Sequence, residues 1–208
     1  MVSQTWRFAL PELKVVKYMV SQHDRHFKPG TMLFPLRKYV SGPQHHFLDA
    51  YLKPGIFALD LGSGPGFFTI RMSEQIGSNG IVYAVDGDET AVTRLRERSD
   101  NLGIKNIRAF VSSATDIPFV QTGSIDVLFS NGLLCCMLGH KKAVSEMIRV
   151  MKSDGIGFIS VTKVLRNDGL GVTKGEWKEI KNSFNVVEEG SSIVMDWAIV
   201  SKLEVSNK

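Results

Sequence analysis

Short apolar runs alternate with longer segments of helical period along most of this chain. The apolar runs predict strands over 56–61, 81–85, 107–112, 125–129, 156–161, 184–189 and 193–203. The other segments predict helices over 41–52, 67–75, 88–102, 139–151 and 174–182. Strands that alternate with helices are typical of a parallel sheet with helices on both faces.

The last two predicted strands are close together and are joined by the short turn Glu189-Gly190-Ser191-Ser192. Such a turn predicts an antiparallel hairpin at the edge of the sheet. The predicted fold class is therefore α/β, with a seven-stranded, mostly parallel sheet and a C-terminal antiparallel hairpin.

The first 42 residues do not follow this alternation. Residues 11–21 predict one short helix, whereas residues 22–42 are broken by two prolines and two glycines and predict irregular, mobile chain. We therefore divide the chain into a small N-terminal helical cap, residues 1–42, and a main domain, residues 43–208. Residues 164–173 predict a further loop.

Composition narrows the class of protein. The 208 residues are 43% hydrophobic and 22% charged, which is ordinary for one globular domain. The net charge of +4 is spread along the chain and does not indicate a nucleic-acid partner. The chain has two adjacent cysteines, Cys135 and Cys136, and no signal peptide or apolar run of membrane-spanning length, so we expect a cytoplasmic protein.

The first predicted strand runs into the glycine-rich stretch LDLGSGPGFF, residues 59–68. A phosphate-binding P-loop needs a lysine after its glycines, but Phe67 follows Gly66 here. A dinucleotide site of the form G-x-G-x-x-G that starts at Gly62 needs its third glycine at position 67, and Gly66 comes one place early. The spacing therefore disfavours a pyrophosphate ligand. A turn that needs glycine only for positive φ is the structural alternative.

Two acidic residues favour a different ligand. Asp60 precedes the glycines, where a carboxylate suits the ammonium and sulfonium of S-adenosylmethionine (SAM) better than it suits a pyrophosphate. Asp86 ends the second predicted strand, where a carboxylate can accept both ribose hydroxyls of an adenosine. We therefore predict SAM as the cofactor. The predicted binding residues in these two stretches are Asp60, Gly62, Ser63, Gly64, Gly66, Phe67, Asp86 and Gly87.

Three later stretches follow the glycine loop and Asp86 in the chain and carry further motifs. They are SSATDIPF, SIDVLFSNGLLCCM and SEMIRVMKSDGIGFISV. With them, residues 43–163 resemble the class I SAM-dependent methyltransferases, and within these the type 11 domain of ubiquinone and menaquinone biosynthesis methyltransferases. The resemblance implies a Rossmann-like fold, S-adenosylhomocysteine (SAH) as product, and Ser113 and Ala114 beside the adenine. Ser113 stands where relatives usually carry an aspartate, and Gly87 stands where many carry a bulky apolar residue.

The methyl acceptor is less well defined. The segment after the fourth predicted strand begins with Ser130 and Asn131, which the resemblance places near the sulfonium. It lacks the Asn/Asp-Pro-Pro-aromatic motif of enzymes that methylate exocyclic amines of bases. We identify no catalytic base. Cys135 and Cys136 are too few thiols for arsenite or zinc, and core packing is the simpler interpretation.

The N-terminal third contains four histidines, whose spacing matches no compact metal motif. We predict no metal site, although one histidine, Arg37 or Tyr39 could line the substrate pocket. In the wider fold, the segment before the first strand commonly forms a lid, which here could include Phe27 and Phe34. The histidines are His23, His26, His45 and His46.

The sequence predicts a SAM-dependent methyltransferase that acts on a small-molecule acceptor. An RNA or protein methyltransferase remains open, although no basic stripe with interleaved aromatic residues supports nucleic-acid binding. A non-catalytic module that binds SAM or SAH also remains open. Phe67 argues against an NAD-dependent dehydrogenase, and the oligomeric state stays undefined.

Overall fold

The computed structural model describes residues 42–163 and 171–203. Within them, the strands are β1 Phe57–Leu61, β2 Ile81–Asp86, β3 Ile107–Val111, β4 Ile125–Asn131, β5 Met151–Thr162, β6 Asn185–Ser191 and β7 Met195–Ser201. The helices are α1 Gly42–Tyr51, α2 Phe67–Ile76, α3 Glu89–Asn101, α4 His140–Val150 and α5 Lys174–Asn182, with a 3-10 turn at Leu134–Cys136. The predicted cap lies outside the described residues except for Gly42, as does most of the predicted 164–173 loop.

The strands form one sheet in the order β3-β2-β1-β4-β5-β7-β6. The first five strands are parallel, and β7 lies antiparallel between β5 and β6. This confirms the predicted fold class. The direction of strand order reverses between β1 and β4, and ligands of open α/β sheets bind outside the carboxyl ends of the strands at such a point.

Alternating side chains of the strands divide the core into two layers. On one face, Phe129 and Phe158 pack against Phe47 of α1 and Phe68 of α2. On the other face, strand residues such as Leu128 pack against buried residues of α4 and α5. A side chain near the end of a strand therefore lies on one helical layer or the other according to its position in this alternation.

Two predicted strand boundaries need correction. Strand β4 was expected to end at Phe129, but it continues because Ser130 pairs with Ile159 and Asn131 pairs with Ser160. Ser130 and Asn131 are therefore strand residues and do not belong to the loop that follows. Strand β5 begins at Met151, earlier than the predicted residue 156, because Met151 still pairs with Ile125 across an irregular register.

The hairpin also differs from the prediction. The expected turn at residues 189–192 is largely part of β6, because Gly190 pairs with Trp197 and Ser191 pairs with Asp196. A Cβ atom on Gly190 would lie 2.3 Å from the Trp197 ring, so the indole occupies the space above this glycine. The connection shifts to residues 192–194, and β7 starts at Met195, later than the predicted residue 193.

Candidate functional site

The predicted cofactor residues meet at the carboxyl edge of the parallel strands, near the reversal between β1 and β4. The glycine loop follows β1, Asp86 ends β2, Ser113 follows β3, and Asn131 ends β4. The structure therefore brings together residues that lie up to 71 positions apart in the sequence.

Backbone hydrogen bonds shape the glycine loop. The N–H groups of Gly62 and Ser63 donate to the carbonyl of Val85 at 2.8 and 3.1 Å, which holds the start of the loop beside β2. Gly62, Gly64 and Gly66 have φ values of 86°, 52° and 85°, a region that side chains other than glycine rarely adopt. Gly66 then serves as the N-cap of α2.

Close packing also explains two of the three glycines. A Cβ atom on Gly62 would lie 2.9 Å from Cβ of Leu133, in the loop after β4. A Cβ atom on Gly66 would lie 2.3 Å from Cδ1 of Leu95 on α3. The glycine spacing is thus required by the fold itself, so it does not by itself identify a ligand.

Asp86 organises the loop from the neighbouring strand. Its Oδ2 accepts a hydrogen bond from the Gly64 N–H at 2.7 Å, and its Oδ1 accepts one from the Asp88 N–H at 2.9 Å. An acidic side chain at the end of the second strand is the group that hydrogen-bonds a ribose hydroxyl in nucleotide-binding sheets of this type. Gly87 is half-buried, and Asp88 caps α3 because its side chain accepts from the Thr90 and Ala91 N–H groups.

Asp60 is buried beneath the loop. Its Oδ2 accepts a hydrogen bond from the Thr69 hydroxyl of α2 at 2.5 Å. Phe67, the first residue of α2, is half-buried and packs edge-on against Phe68 with ring centroids 4.9 Å apart. Asp60 thus connects β1 to the first turn of α2, which positions the glycine loop between them.

The segment after β3 is held from α4. Arg149 donates to the carbonyls of Val120 and Ile117 at 2.9 and 3.0 Å, and the Ile117 N–H donates to Glu146 at 3.0 Å. The hydrogen bond to Arg149 lowers the pKa of Glu146, and the same contact raises the pKa of Arg149. This pair anchors the turn that carries the predicted adenine-side residues.

Ser113 lies in that turn. Its hydroxyl oxygen accepts from the Thr115 N–H at 3.2 Å and lies 2.8 Å from the Thr115 hydroxyl. Ala114 is buried, and Asp116 is exposed, with its N–H donating to the Ser113 carbonyl at 3.1 Å. Asp116 therefore forms part of the turn.

Ser130 and Asn131 face opposite layers, because neighbouring strand residues alternate. The Asn131 Oδ1 accepts hydrogen bonds from Gln44 of α1 and from the Ser160 hydroxyl of β5, both at 2.9 Å. The Ser130 hydroxyl is buried and has no hydrogen-bond partner in the described part of the chain. Only Asn131 thus contacts the α1 layer.

Gln44 is a site residue that the sequence analysis missed. It is 4% exposed, and it shares one helix face with the buried Phe47 and Leu48, which are three and four residues away. Its Nε2 also lies 3.4 Å from the Met195 sulfur of β7. A polar side chain on an apolar helix face is a signal that could have identified it.

His45 packs against the helix that follows the glycine loop. Its ring centroid lies 6.5 Å from that of Phe67 and 5.7 Å from that of Phe68. Both ring nitrogens are buried and have no hydrogen-bond partner among the described residues. Burial, followed by the positive charge of Arg71, lowers the pKa of His45, while Asp49 opposes this shift. His46 is exposed.

The cysteines are arranged as core and near-core residues. Cys135 is buried, Cys136 is half-buried, and both thiols donate to the Gly132 carbonyl. Residues 42–163 and 171–203 contain no group of three or more histidine, cysteine, aspartate or glutamate side chains that could hold a metal ion. His23, His26, Arg37, Tyr39 and the proposed lid aromatics lie outside the described residues.

The residues at this edge are compatible with SAM. The Asp86 carboxylate ends β2, and the glycine backbone of positive φ lies beside it. The uncharged Ser113 hydroxyl follows β3. The buried, unpartnered Ser130 hydroxyl marks a polar position at the end of β4. No helix in the described ranges is long and apolar enough to cross a bilayer.

The chain is similar to curated proteins over its central part. It is 31% identical over 105 residues to a ubiquinone/menaquinone biosynthesis C-methyltransferase of Pasteurella multocida. This alignment covers 50% of this chain and 39% of that protein. It is 27% identical over 135 residues to a ribosomal protein methyltransferase of Caldanaerobacter subterraneus. This alignment covers 65% of this chain and 38% of that protein. The chain thus spans about two fifths of the length of these relatives.

Solved structures share the fold. A SAM-dependent methyltransferase from Aquifex aeolicus has a TM-score of 0.74 at 23% identity, covering 86% of this chain and 100% of that one. Geranyl diphosphate C-methyltransferase from Streptomyces coelicolor has a TM-score of 0.67 at 14% identity, covering 80% and 82%. The first of these proteins is SAM-dependent, and the second was solved with SAH bound. The model of one protein family matches residues 52–202, and this chain belongs to that family, the methyltransferase domain.

Proposed function

We propose that this chain transfers a methyl group from SAM to a small-molecule acceptor and releases SAH. The observation that carries the proposal is the position of Asp86. Its carboxylate ends β2 beside the glycine loop, where an acidic side chain can accept the ribose hydroxyls of an adenosine. Membership of the methyltransferase domain family supports the same reaction class.

Each predicted residue has a role in this proposal. Asp86 and Gly87 would hold the ribose and the adjacent adenine edge, and Ser113 with Ala114 would face the adenine. The glycine loop would present backbone to the amino-acid end, over the buried Asp60 carboxylate. Ser63 and Phe67 belong to this loop and to the start of α2. In this proposal Ser130 and Asn131 would lie at the end nearest the acceptor.

Positioning is the main contribution that we assign to the protein. When bound, SAM supplies a methyl group that its sulfonium has already activated, so alignment of the acceptor can supply much of the catalysis. The residues described give no general base beside Asn131, since His45 packs against Phe67 and Phe68 on another side of α1. We therefore infer that the acceptor is a group that loses its proton readily, and we assign no catalytic residue.

The chemical class of the acceptor is the part of this proposal that has an alternative. A protein acceptor is supported by the similarity to the ribosomal protein methyltransferase. A small molecule is supported by the similarity to the quinone biosynthesis methyltransferase, together with the scattered charge of the chain. Cytoplasmic location and the division at residue 42 also stay predictions from the sequence.

The cofactor assignment can be tested by thermal unfolding with SAM, SAH and NAD. We expect SAM and SAH to raise Tm and NAD to leave it unchanged, since the loop lacks the third glycine of a dinucleotide site. Stabilisation by NAD alone would contradict the assignment. Transfer of labelled methyl to small thiols, phenols, quinols and RNA then tests catalysis, and inactivity on the whole panel combined with SAH binding would favour a non-catalytic module.

A further inference from the structure

We propose that Gln44 and Asn131 form a subsite that binds a hydroxyl group on an apolar methyl acceptor. The inference rests on the proposed function, because it places the acceptor beside the end of β4. The two residues lie 87 positions apart and are joined by the hydrogen bond from Gln44 Nε2 to Asn131 Oδ1 at 2.9 Å.

Ser160 determines the orientation of the side-chain amides of Asn131 and Gln44. Its hydroxyl oxygen accepts a hydrogen bond from the Gly132 N–H at 3.1 Å, so its own proton is available for Asn131 at 2.9 Å. The Asn131 atom that receives this proton is therefore the carbonyl oxygen. Because that oxygen also faces Gln44, the Gln44 atom in contact with it is the amide nitrogen.

This arrangement leaves one acceptor and one donor group unused. The Gln44 Oε1 is buried and has no hydrogen-bond partner among the residues the structure describes, and Gln44 as a whole is 4% exposed. A buried carbonyl that lacks a donor costs about 1–3 kcal/mol, so a site with this feature favours a ligand that brings a donor. The Asn131 amide nitrogen is a donor group on the same side chain and would donate to an oxygen of the same ligand.

The surroundings of this pair are apolar. The Met195 sulfur lies 3.4 Å from Gln44 Nε2, and Met195 packs against the core cluster that contains Phe47, Phe129 and Phe158. The turn that leads into Met195 exposes Ile193 and Val194, which are 96% and 54% accessible. This turn lies at the carboxyl edge of the sheet, since Thr162, the last residue of β5, pairs with Met195.

Apolar walls and one hydroxyl-binding amide pair fit an aromatic alcohol. The hydroxyl would donate its proton to Gln44 Oε1 and accept from the Asn131 amide, while the ring would pack on Met195. A methyl ether of the same ring presents the same apolar surface but has no proton to donate. The pair of 2-naphthol and 2-methoxynaphthalene therefore isolates the proposed hydrogen bond from the apolar contact.

The experiment measures the affinity of both probes for the full chain by calorimetry, with and without saturating SAH. We expect 2-naphthol to bind about 10-fold more tightly than its methyl ether, as one well-placed hydrogen bond provides. In Gln44→Met the ratio should fall to about 1, because the side chain keeps its length and loses the carbonyl. Gln75→Met on α2 is the matched control and should keep the ratio of the unmodified protein.

A second variant, Ser160→Ala, tests the same subsite if Gln44→Met fails to fold. Ser160→Ala removes the proton that orients Asn131, so it should lower the same ratio while SAH binding is retained. Equal affinity for the two probes, no binding of either, or an unchanged ratio in both variants would overturn the subsite. Failure of the unmodified protein to bind SAH would instead overturn the proposed function, and the two failures are therefore distinguishable.

Discussion

The Asp86 carboxylate accepts a hydrogen bond from the backbone N–H of Gly64 at 2.7 Å, across the gap between β2 and the glycine loop. The same side chain also receives the Asp88 N–H at 2.9 Å. One carboxylate therefore holds the loop and the start of α3 in a fixed relation. A ligand that hydrogen-bonds to Asp86 therefore binds to a site that is already organised.

Asp86→Asn should weaken SAH binding. The substitution keeps a carbonyl that can accept from Gly64, but it replaces the second oxygen and the negative charge with an amide donor. We expect a loss of about 10-fold or more in SAH affinity, as charge-assisted hydrogen bonds are stronger than neutral ones. Calorimetry measures the loss, and the Tm of the ligand-free variant shows whether the loop is intact.

Asp88→Asn provides the control for Asp86→Asn. Asp88→Asn removes one negative charge, as Asp86→Asn does, at a position two residues from Asp86. Asparagine at position 88 can still cap α3. SAH affinity should stay close to that of the unmodified protein. If Asp86→Asn and Asp88→Asn bind SAH equally well, Asp86 is not a ribose ligand.

Gly66→Ala should destabilise the fold more than an ordinary glycine replacement. Gly66 combines a φ of 85° with close packing, because an added methyl group would lie 2.3 Å from Leu95 Cδ1. We expect a cost of about 2–4 kcal/mol from left-handed backbone and overpacking together. Gly103→Ala, with a φ of 69° and open space around it, should cost only about 1–2 kcal/mol. Urea unfolding of both variants checks the difference, and equal losses would contradict the packing argument.

Local signals account for what the sequence predicted well. The glycine loop, Asp86 at the end of β2 and the Asp88 cap are each encoded within a few residues. The alternation of strands and helices was sufficient for the fold class. Boundaries failed where pairing with another strand decided them, as at Asn131, which continues β4 only because Ser160 lies opposite.

The acceptor side of the site depends on contacts that no local pattern encodes. Gln44 meets Asn131 because α1 packs on the layer of the sheet that Asn131 faces, and strand alternation sends Ser130 to the opposite layer. From sequence alone Ser130 and Asn131 belong to one segment, because no local pattern encodes the strand register. Similarly, Leu95 requires a glycine at position 66 because α3 packs beside the loop, and no local pattern in the sequence encodes that contact.

Arg149→Gln should loosen the turn that carries Ser113 and Ala114. The substitution removes hydrogen bonds to the Ile117 and Val120 carbonyls and leaves Glu146, itself mostly buried, without its cation. We expect a loss of about 1–3 kcal/mol in the free energy of unfolding. Arg94→Gln, at an exposed position on α3, should change stability little. Denaturant unfolding compares the two, and similar stabilities would contradict an anchoring role for Arg149.

Protonation of His45 should make the protein less stable in mild acid. Burial holds the pKa of His45 below its ordinary value of 6.5 in the folded state, with Arg71 adding to the shift and Asp49 opposing it. The unfolded chain therefore binds the proton more readily than the folded protein. The contribution of neutral His45 is complete above about pH 6.5 and is lost as the pH falls from there towards the folded pKa.

His45→Leu removes this titration and retains an apolar contact with Phe67 and Phe68. The free energy of unfolding should then fall less between pH 7.5 and 5.5, conditions chosen to bracket roughly the ordinary histidine pKa. His46→Leu, on the exposed side of α1, should keep the pH dependence of the unmodified protein. Urea unfolding at the two pH values measures the effect. Because Asp49, Glu146 and Glu176 have pKa values lowered from carboxyl references near 4, their titration lies below this window. An unchanged pH dependence in His45→Leu would therefore show that the histidine is protonated as easily in the folded protein as in the unfolded chain.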